Sequence, residues 1–234
     1  MNLGDFREDY RRGALDRTAL DADPISQFEA WFRTAAGESS QSRWRKIGIA
    51  LYKLWSAICN HRPADTNAMT LATVDQDGKP STRTVLLKSV DERGFVFFTN
   101  YDSRKGRELA ENPNAALTFF WPELERQVCV AGTVTKLPAA ESEAYFKSRP
   151  RGSQIGAWAS NQSETIPNRA ALEAKWRELE KNFPGEVPLP LNWGGFILRP
   201  KRIEFWQGRP SRLHDRFHYT RSVDGAWKIE RLSP

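Results

Sequence analysis

The pattern of apolar and polar residues predicts a short helix near the start of the chain. Asp23 and Pro24 are a typical helix-start pair, because an aspartate caps the first turn and proline is tolerated at its first position. Phe28, Trp31 and Phe32 follow at helical spacing on one face. We therefore predict an amphipathic helix that begins at Pro24.

A second helical pattern lies between residues 39 and 62. Its apolar residues recur at three- and four-residue steps, and its lysines and arginines lie off that face. We therefore predict that an N-terminal helical segment, 1–67, contains a basic amphipathic helix over 39–62. An extra helix packed on the main domain is the interpretation that we favour, and a peripheral membrane or partner-binding helix is the alternative.

From residue 68 the period of the apolar residues changes to two, which is typical of strands. The alternation predicts strands over 68–75, 81–91, 95–100, 115–121, 126–137, 193–200, 203–208, 212–220 and 227–232. Helices are predicted from a cap at Asp102 or Ser103 through Glu111, over 139–149 up to Pro150, after a cap at Ser153, and over 168–183. Strands without regular alternation with helices favour an antiparallel barrel, so we predict a mainly β fold with α (α+β) over 68–234.

Charge argues against a nucleic-acid-binding surface. The 234 residues carry a formal net charge of +6, but the stretch 39–64 holds five basic residues and no acidic one. Without these five of its 35 basic residues, the chain has 30 basic residues against 29 acidic ones. The excess is therefore local, and we expect no nucleic-acid partner.

Little in the sequence indicates export or a metal. The first residues are charged and lack an apolar segment typical of secretion, and no apolar run reaches the roughly 20 residues that span a bilayer. Cys59 and Cys129 match neither a disulfide framework nor a metal-ligand spacing. We expect a cytoplasmic, reduced protein without a metal.

The stretch SRLHDRFHYTR, 211–221, is dense in guanidinium and imidazole groups. Alternation would place Arg212, His214 and Arg216 on one strand face, whereas the neighbours His214 and Asp215 would point to opposite faces and could not form a hydrolytic pair. Alone, the stretch fits a solvated strand face. An anion or polar-ring site would need partners elsewhere in the chain.

Such partners occur as several phosphate-sized groups of polar residues. Arg83 and Lys88 bracket RTVLLK, Ser103-Arg104-Lys105 opens a helix, Tyr145 and Arg149 lie four apart before Ser153, and Gln162-Ser163 lies in a polar loop. Each group alone also fits an ordinary surface, but together they suggest two phosphorylated small molecules. Arg83 and Lys88 are five apart and would face opposite ways on a regular strand, which two ligands, two sites across a dimer, or a β-bulge would explain.

An ordered set of motifs resembles the pyridoxamine 5′-phosphate oxidase family. The resemblance covers 69–234, with a weaker stretch over 7–33, and rests on RTVLLK, SRKGRELAENP, LERQV, YFKSRPRGSQIGAWAS with QS, GEVPLP, WGGF, IEFWQG and RLHDRF. It implies an FMN-binding split β-barrel that works as a homodimer with active sites at the subunit interface. It also implies oxidation of pyridoxamine or pyridoxine 5′-phosphate to pyridoxal 5′-phosphate, with O2 reduced to H2O2.

The resemblance also implies roles for individual residues. FMN would be held by Arg83, Thr84, Val85, Leu86, Leu87, Lys88, Phe98, Thr99, Arg104, Lys105, Gln127, Gln162, Ser163, Trp206 and Arg216. The substrate would be held by Arg7, Tyr10, Lys88, Tyr145, Arg149, Ser153, Arg212 and His214. Arg212 and His214 would be the catalytic residues over the pyridine ring.

Two features depart from the family pattern, and two other functions stay open. The stretch 39–62 looks like an insertion, and the acidic pair Glu8-Asp9 follows Arg7 where a more basic run is usual.

A related FMN-dependent oxidase that acts on another reduced ring, of the phenazine type, is one alternative. A flavin- or pyridoxal-phosphate-binding protein without turnover is the other.

Overall fold

The computed structural model describes residues 9–37 and 65–234. Its first α-helix, α1, is Pro24–Ala35, and the Asp23 side chain accepts hydrogen bonds from the backbone N–H groups of Ile25 and Ser26, as the helix-start pair predicts. Phe28 and Trp31 are buried. The predicted helix over 39–62 and the predicted site residue Arg7 lie outside the described residues.

The described residues hold nine strands. They are β1 Ala68–Val74, β2 Pro80–Leu86, β3 Ser89–Asp91, β4 Gly94–Asn100, β5 Asn114–Trp121, β6 Arg126–Lys136, β7 Trp193–Gln207, β8 Asp215–Arg221 and β9 Trp227–Leu232. In the sheet, β2, β1, β5, β6, β7, β4 and β3 are neighbours in that order, β8 pairs with β7, and β9 pairs with β8. The pairs β3–β4, β4–β7, β7–β8 and β8–β9 are antiparallel, so the predicted mainly β fold is confirmed.

Four further α-helices of the described stretches lie among these strands. They are α2 Arg104–Glu111, α3 Ala139–Ser148, α4 Arg151–Ala159 and α5 Arg169–Asn182. The Ser103 side chain caps α2 by accepting from the N–H of Gly106. The prediction that Ser153 caps a helix is wrong: Pro150 is the N-cap of α4, and Ser153 lies in its first turn. No helix in the two described stretches is long and apolar enough to cross a membrane.

The chain divides into two compact units. Of the described residues, the first comprises 9–37, 65–70, Leu117–Val130 and Pro200–Pro234, and the second comprises Leu71–Ala116 and Ala131–Arg199. In the first unit, the ring of Phe28 lies 4.9 Å from that of Phe119 and the ring of Trp31 lies 5.2 Å from that of Phe205. In the second unit, Phe146, Ile155 and Trp193 form a buried cluster. The boundary predicted at residue 67 stays a prediction.

Four predicted strands differ from the observed ones. The stretch 81–91 is interrupted between Leu86 and Ser89, and the backbone N–H of Lys88 donates to the carbonyl of Val96. The stretches 193–200 and 203–208 are one strand, β7, and Pro200 lies between Leu198, which pairs with β4, and Arg202, which pairs with β8.

The strand predicted from residue 212 begins only at Asp215. Pro210–Arg212 instead forms a 3-10 turn in which Ser211 and Arg212 have φ angles of 58° and 62°. The prediction that Arg212, His214 and Arg216 share one strand face is therefore wrong.

Candidate functional site

A cavity of about 910 Å³ in the second unit gathers most of the predicted site residues. The lining includes Arg83, Thr84, Val85, Leu86, Lys88, Phe98, Thr99, Arg104, Lys105, Tyr145, Arg149, Ser153, Gln162 and Ser163. Leu87 is absent from this lining, and its side chain is buried. A cavity of this size is large enough for a cofactor or a drug-sized molecule.

The break between β2 and β3 explains why Arg83 and Lys88 line the same cavity. The regular strand that the sequence suggests would have sent the two side chains to opposite faces. Because β2 ends at Leu86, that alternation does not extend to Lys88. The interruption between β2 and β3 accounts for the placement of Arg83 and Lys88, which we expected two ligands, two sites across a dimer or a β-bulge to explain.

The start of α2 brings cations to the cavity. The backbone N–H of Arg104 donates to the Ser163 hydroxyl at 3.2 Å. The Lys105 ammonium donates to the Thr99 hydroxyl at 3.0 Å and to the Gln162 side-chain oxygen at 2.7 Å. Burial, and then the nearby charge of Arg83, lower the pKa of Lys105, the charge of Glu108 opposes them, and the net result is a pKa of about 8. A helix start with converging cations is suited to an oxyanion.

A buried carboxylate that the sequence did not single out lies behind these cations. Glu108, on α2, is 4% exposed and accepts hydrogen bonds from Thr73, Ser81, Arg83 and Arg104. Burial raises the pKa of Glu108, but these hydrogen bonds outweigh it and lower the pKa to about 2. The i,i+4 spacing of Arg104 and Glu108 was the one available signal.

Aromatic rings and a guanidinium form a second polar region in the cavity lining. The Tyr145 ring stacks on Phe98 with centroids 3.9 Å apart, and the Arg149 guanidinium lies 4.6 Å from the centroid of the Trp193 ring. Pro150 follows Arg149 and keeps its backbone extended. Burial lowers the pKa of Arg149, and its buried Nη1 has no hydrogen-bond partner among the described residues. Such a nitrogen in a cavity fits an anionic ligand.

The first unit holds a separate cluster of rings, which we call the ring cluster: Tyr10, Trp206 and His214. The Tyr10 ring lies 5.6 Å from that of Trp206 and 5.8 Å from that of His214, and the Trp206 and His214 rings are 4.7 Å apart. His214 Nδ1 accepts from the backbone N–H of Arg209 at 3.1 Å. Burial, and then the charges of Arg212 and Arg216, lower the pKa of His214, which favours the neutral form of its imidazole.

Two carboxylates fix the chain beside the ring cluster. Glu125 accepts from the backbone N–H of Arg12 at 2.8 Å, and Asp215 accepts from that of Leu15 at 3.0 Å. These bonds hold the segment that carries Tyr10. Neither bond could be predicted from local sequence, because each joins residues more than 100 positions apart.

The other predicted residues of the first unit make contacts of their own. Arg216 lies opposite Trp206 in the β7–β8 register and donates to the Glu204 carboxylate at 2.8 and 3.0 Å. Gln127 donates to the Cys129 sulfur at 3.3 Å, and Arg212 is exposed. Arg216 is therefore already charge-compensated, unlike Arg149.

Two family models match the chain. One, described as pyridoxamine 5′-phosphate oxidase, matches residues 60–183. The other, described as the pyridoxine 5′-phosphate oxidase C-terminal dimerisation region, matches residues 193–234.

Curated relatives match over the full length. A pyridoxine/pyridoxamine 5′-phosphate oxidase of Paraburkholderia phymatum is 53% identical over 99% of both chains. Pyridoxine/pyridoxamine 5′-phosphate oxidase 1 of Ralstonia nicotianae is 52% identical over 100% of this chain and 99% of its own.

Solved structures extend the similarity to the fold. PhzG from Burkholderia lata 383, in complex with tetrahydrophenazine-1-carboxylic acid, is 34% identical with a TM-score of 0.70, over 80% of this chain and 92% of its own. A pyridoxamine 5′-phosphate oxidase-related, FMN-binding protein of Nostoc punctiforme is 20% identical with a TM-score of 0.61, over 84% of this chain and 100% of its own, and supports the split-barrel fold alone.

Proposed function

Because the chain belongs to the pyridoxamine 5′-phosphate oxidase family of FMN-dependent oxidoreductases, we propose that it oxidises pyridoxamine and pyridoxine 5′-phosphates to pyridoxal 5′-phosphate. O2 takes the two electrons and two protons and leaves as H2O2, and with the amine substrate a water molecule hydrolyses the oxidised imine and ammonia leaves. The observation that carries the proposal is the presence of two cationic regions in one cavity, one around Arg83, Arg104 and Lys105 and one around Arg149.

The first cationic region suits the phosphate of FMN. Arg83, Arg104 and Lys105 supply positive charge, and Ser163 and Thr99 add hydroxyl groups beside the start of α2. Charge-assisted hydrogen bonds of this kind are stronger than neutral ones, and a fixed phosphate fixes the rest of the cofactor. FMN, when bound, supplies the two-electron chemistry, and the chain supplies binding and orientation.

The second cationic region suits the phosphate of the substrate. Over residues 9–37 and 65–234, the buried Nη1 of Arg149 has no hydrogen-bond partner, and Lys88, Tyr145 and Ser153 line the same cavity. Binding energy from a remote phosphate can hold the reacting carbon in line with the cofactor. Because FMN would supply the electron chemistry and the chain would supply binding and orientation, no residue has to act as a strong general base.

We propose that the ring cluster completes the site in a homodimer. Trp206, Arg212, His214 and Arg216 fall within the region matched by the dimerisation model, and the resemblance implies active sites at the subunit interface. The ring faces of Trp206 and Tyr10 would pack on the substrate. The neutral His214 can hydrogen-bond to a pyridine ring without placing a further positive charge there.

A phenazine-type oxidation is the second candidate, supported by the similarity to PhzG in complex with tetrahydrophenazine-1-carboxylic acid. That ligand carries no phosphate. The cationic group of Lys88 and Arg149 would then have no phosphate to bind, and we therefore favour the phosphorylated substrate.

The test is an anaerobic absorbance spectrum of the flavin-loaded protein before and after addition of pyridoxamine 5′-phosphate. We expect the oxidised flavin band to bleach, and to return with peroxide when air is admitted. Unphosphorylated pyridoxamine is the matched control and should bleach it far more slowly. Bleaching by tetrahydrophenazine-1-carboxylic acid alone would favour the second candidate. Bound flavin that no reductant of either class bleaches would favour a binding protein.

A further inference from the structure

We propose that Glu108 is a positioning residue: its carboxylate fixes the Arg83 and Arg104 guanidinium groups at the cavity and thereby creates the preference for a phosphorylated flavin over riboflavin. The inference rests on the proposed FMN site, and it assigns to that site a residue that does not line the cavity.

The carboxylate joins two arginines from different elements. Arg104 Nε donates to one oxygen of Glu108 at 2.7 Å, from one turn earlier on α2. Arg83 Nη2 donates to the other oxygen at 3.1 Å, from β2. Arg104 has a side chain that is 58% exposed, so without this bond its long side chain would be free to rotate into solvent. One carboxylate thus holds both guanidinium groups in a single arrangement.

The position demands a group that only accepts hydrogen bonds. Besides the two arginines, the hydroxyls of Ser81 and Thr73 donate to Glu108, the former at 2.7 Å to Oε2 and 2.9 Å to Oε1. A glutamine would direct its own N–H groups at some of these donors, and its one oxygen could not serve both arginines. Its neutrality would also leave the arginines without a buried counter-charge.

A merely structural role predicts something different. If Glu108 only joins β1, β2 and α2, its loss should weaken the binding of every flavin alike. If Glu108 positions the arginines, its loss should weaken the binding of FMN, which carries the phosphate, more than the binding of riboflavin. The ratio of riboflavin Kd to FMN Kd therefore separates the two roles without any measurement of turnover.

The experiment compares Glu108→Gln with Glu111→Gln in the full chain after removal of its flavin. Glu111 lies on the same helix, is exposed, and gives a matched substitution. Flavin fluorescence gives the Kd of FMN and of riboflavin for each protein. We expect the ratio to fall about tenfold or more in Glu108→Gln, the loss of a charge-assisted hydrogen bond, and to stay at the wild-type value in Glu111→Gln.

A second pair of variants keeps the test decisive if Glu108→Gln does not fold. Glu108→Asp keeps the charge but withdraws it by one methylene, and Arg104→Gln removes the more exposed of the two arginines. Arg104→Gln and Glu108→Asp should each lower the ratio, and the double variant Arg104→Gln/Glu108→Asp should lower it by less than the product of the two single effects, because Glu108 acts in part through Arg104. Equal weakening of both flavins, or fully additive effects, would overturn the inference. A wild-type protein without any preference for FMN would overturn the proposed site itself.

Discussion

The cavity of the second unit and the ring cluster of the first unit are built for different tasks. In the cavity, Arg83 and Arg104 come from regular elements, β2 and α2, and are held by the buried carboxylate of Glu108. In the ring cluster, His214 follows a turn with left-handed residues, and Tyr10 lies on a segment held by distant hydrogen bonds. The cavity therefore presents charged groups in fixed positions, and the ring cluster presents ring surfaces in fixed positions.

The state of the charges supports this distinction. Arg216 is paired with Glu204, whereas Nη1 of Arg149 in the cavity has no hydrogen-bond partner in the part of the chain that the structure describes. The positive charge that can attract phosphate is therefore in the cavity. Substitutions there should change the affinity for phosphorylated ligands, and substitutions in the ring cluster should change turnover.

The largest effect is expected for Arg149→Met. It removes the guanidinium that lies over Trp193 but leaves an unbranched side chain of similar length. We expect kcat/KM for pyridoxamine 5′-phosphate to fall by roughly 10²–10³-fold, because truncating one partner of a buried charge pair costs several kcal/mol. FMN affinity should not change. Steady-state kinetics and a flavin titration measure the two quantities.

Arg151→Met is the matched control for Arg149→Met. Arg151 lies two residues later and donates to the carbonyls of Phe183 and Gly185, outside the cavity lining. Its loss should leave KM unchanged within about threefold, as for a substitution away from the site. If both variants raise KM equally, or if Arg149→Met leaves the preference for phosphorylated substrate intact, Arg149 does not bind the substrate phosphate.

His214→Asn should have a smaller effect of another kind. The amide oxygen can still accept from the Arg209 N–H, but the ring that lies against Trp206 is lost. We expect kcat to fall roughly 10–100-fold, since small misplacements of a bound substrate have effects of this size. FMN affinity should be retained. Stopped-flow reduction of the bound flavin measures the step directly.

His218→Asn is the matched control: the same substitution, made four residues later on β8, where His218 lies opposite Glu204 in the β7–β8 register. It should leave flavin reduction unchanged. A loss of bound flavin in His214→Asn, in place of slower reduction, would contradict the distinction between the two regions.

The sequence predicted the polar residues of the cavity better than the backbone that carries them. The cap at Ser103 and the end of α2 at Glu111 follow from local signals that act within one turn. The break after Leu86 and the turn at Pro210–Arg212 do not, because tertiary pairing and two positive φ angles at Ser211 and Arg212 decide them.

Glu108 shows why one part of the site could not be predicted. A glutamate in a helix is typical of a solvent-exposed face, and nothing near Glu108 in sequence predicts the hydroxyls of Thr73 and Ser81 around it. Those donors are 35 and 27 residues away along the chain. Only the folded arrangement of β1, β2 and α2 turns an ordinary helix glutamate into a buried acceptor.

The smallest predicted effect is the pH dependence of FMN binding through Lys105. Burial, with the charge of Arg83, lowers the pKa of Lys105 from 10.5 to about 8, so the side chain is charged below about pH 8 and neutral above it. Because FMN phosphate favours the charged form, the FMN Kd should rise about tenfold between pH 7 and pH 9. Riboflavin binding should stay flat across this range. Flavin titrations at each pH measure both.

Two variants and one stability measurement sharpen this prediction. Lys105→Arg, which stays charged, and Lys105→Met, which is never charged, should both remove the pH dependence, with FMN bound more tightly by the arginine variant. In the flavin-free protein the sign is opposite: the unfolded chain binds more protons between pH 8 and 10.5, so Lys105 makes the free energy of unfolding rise with pH. A pH dependence that persists in Lys105→Met would assign the titration to another group. If instead the FMN affinity falls with pH while the free energy of unfolding of the flavin-free protein rises, the titrating group is Lys105. Its positive charge is then incompletely compensated in the fold and is compensated by the cofactor phosphate.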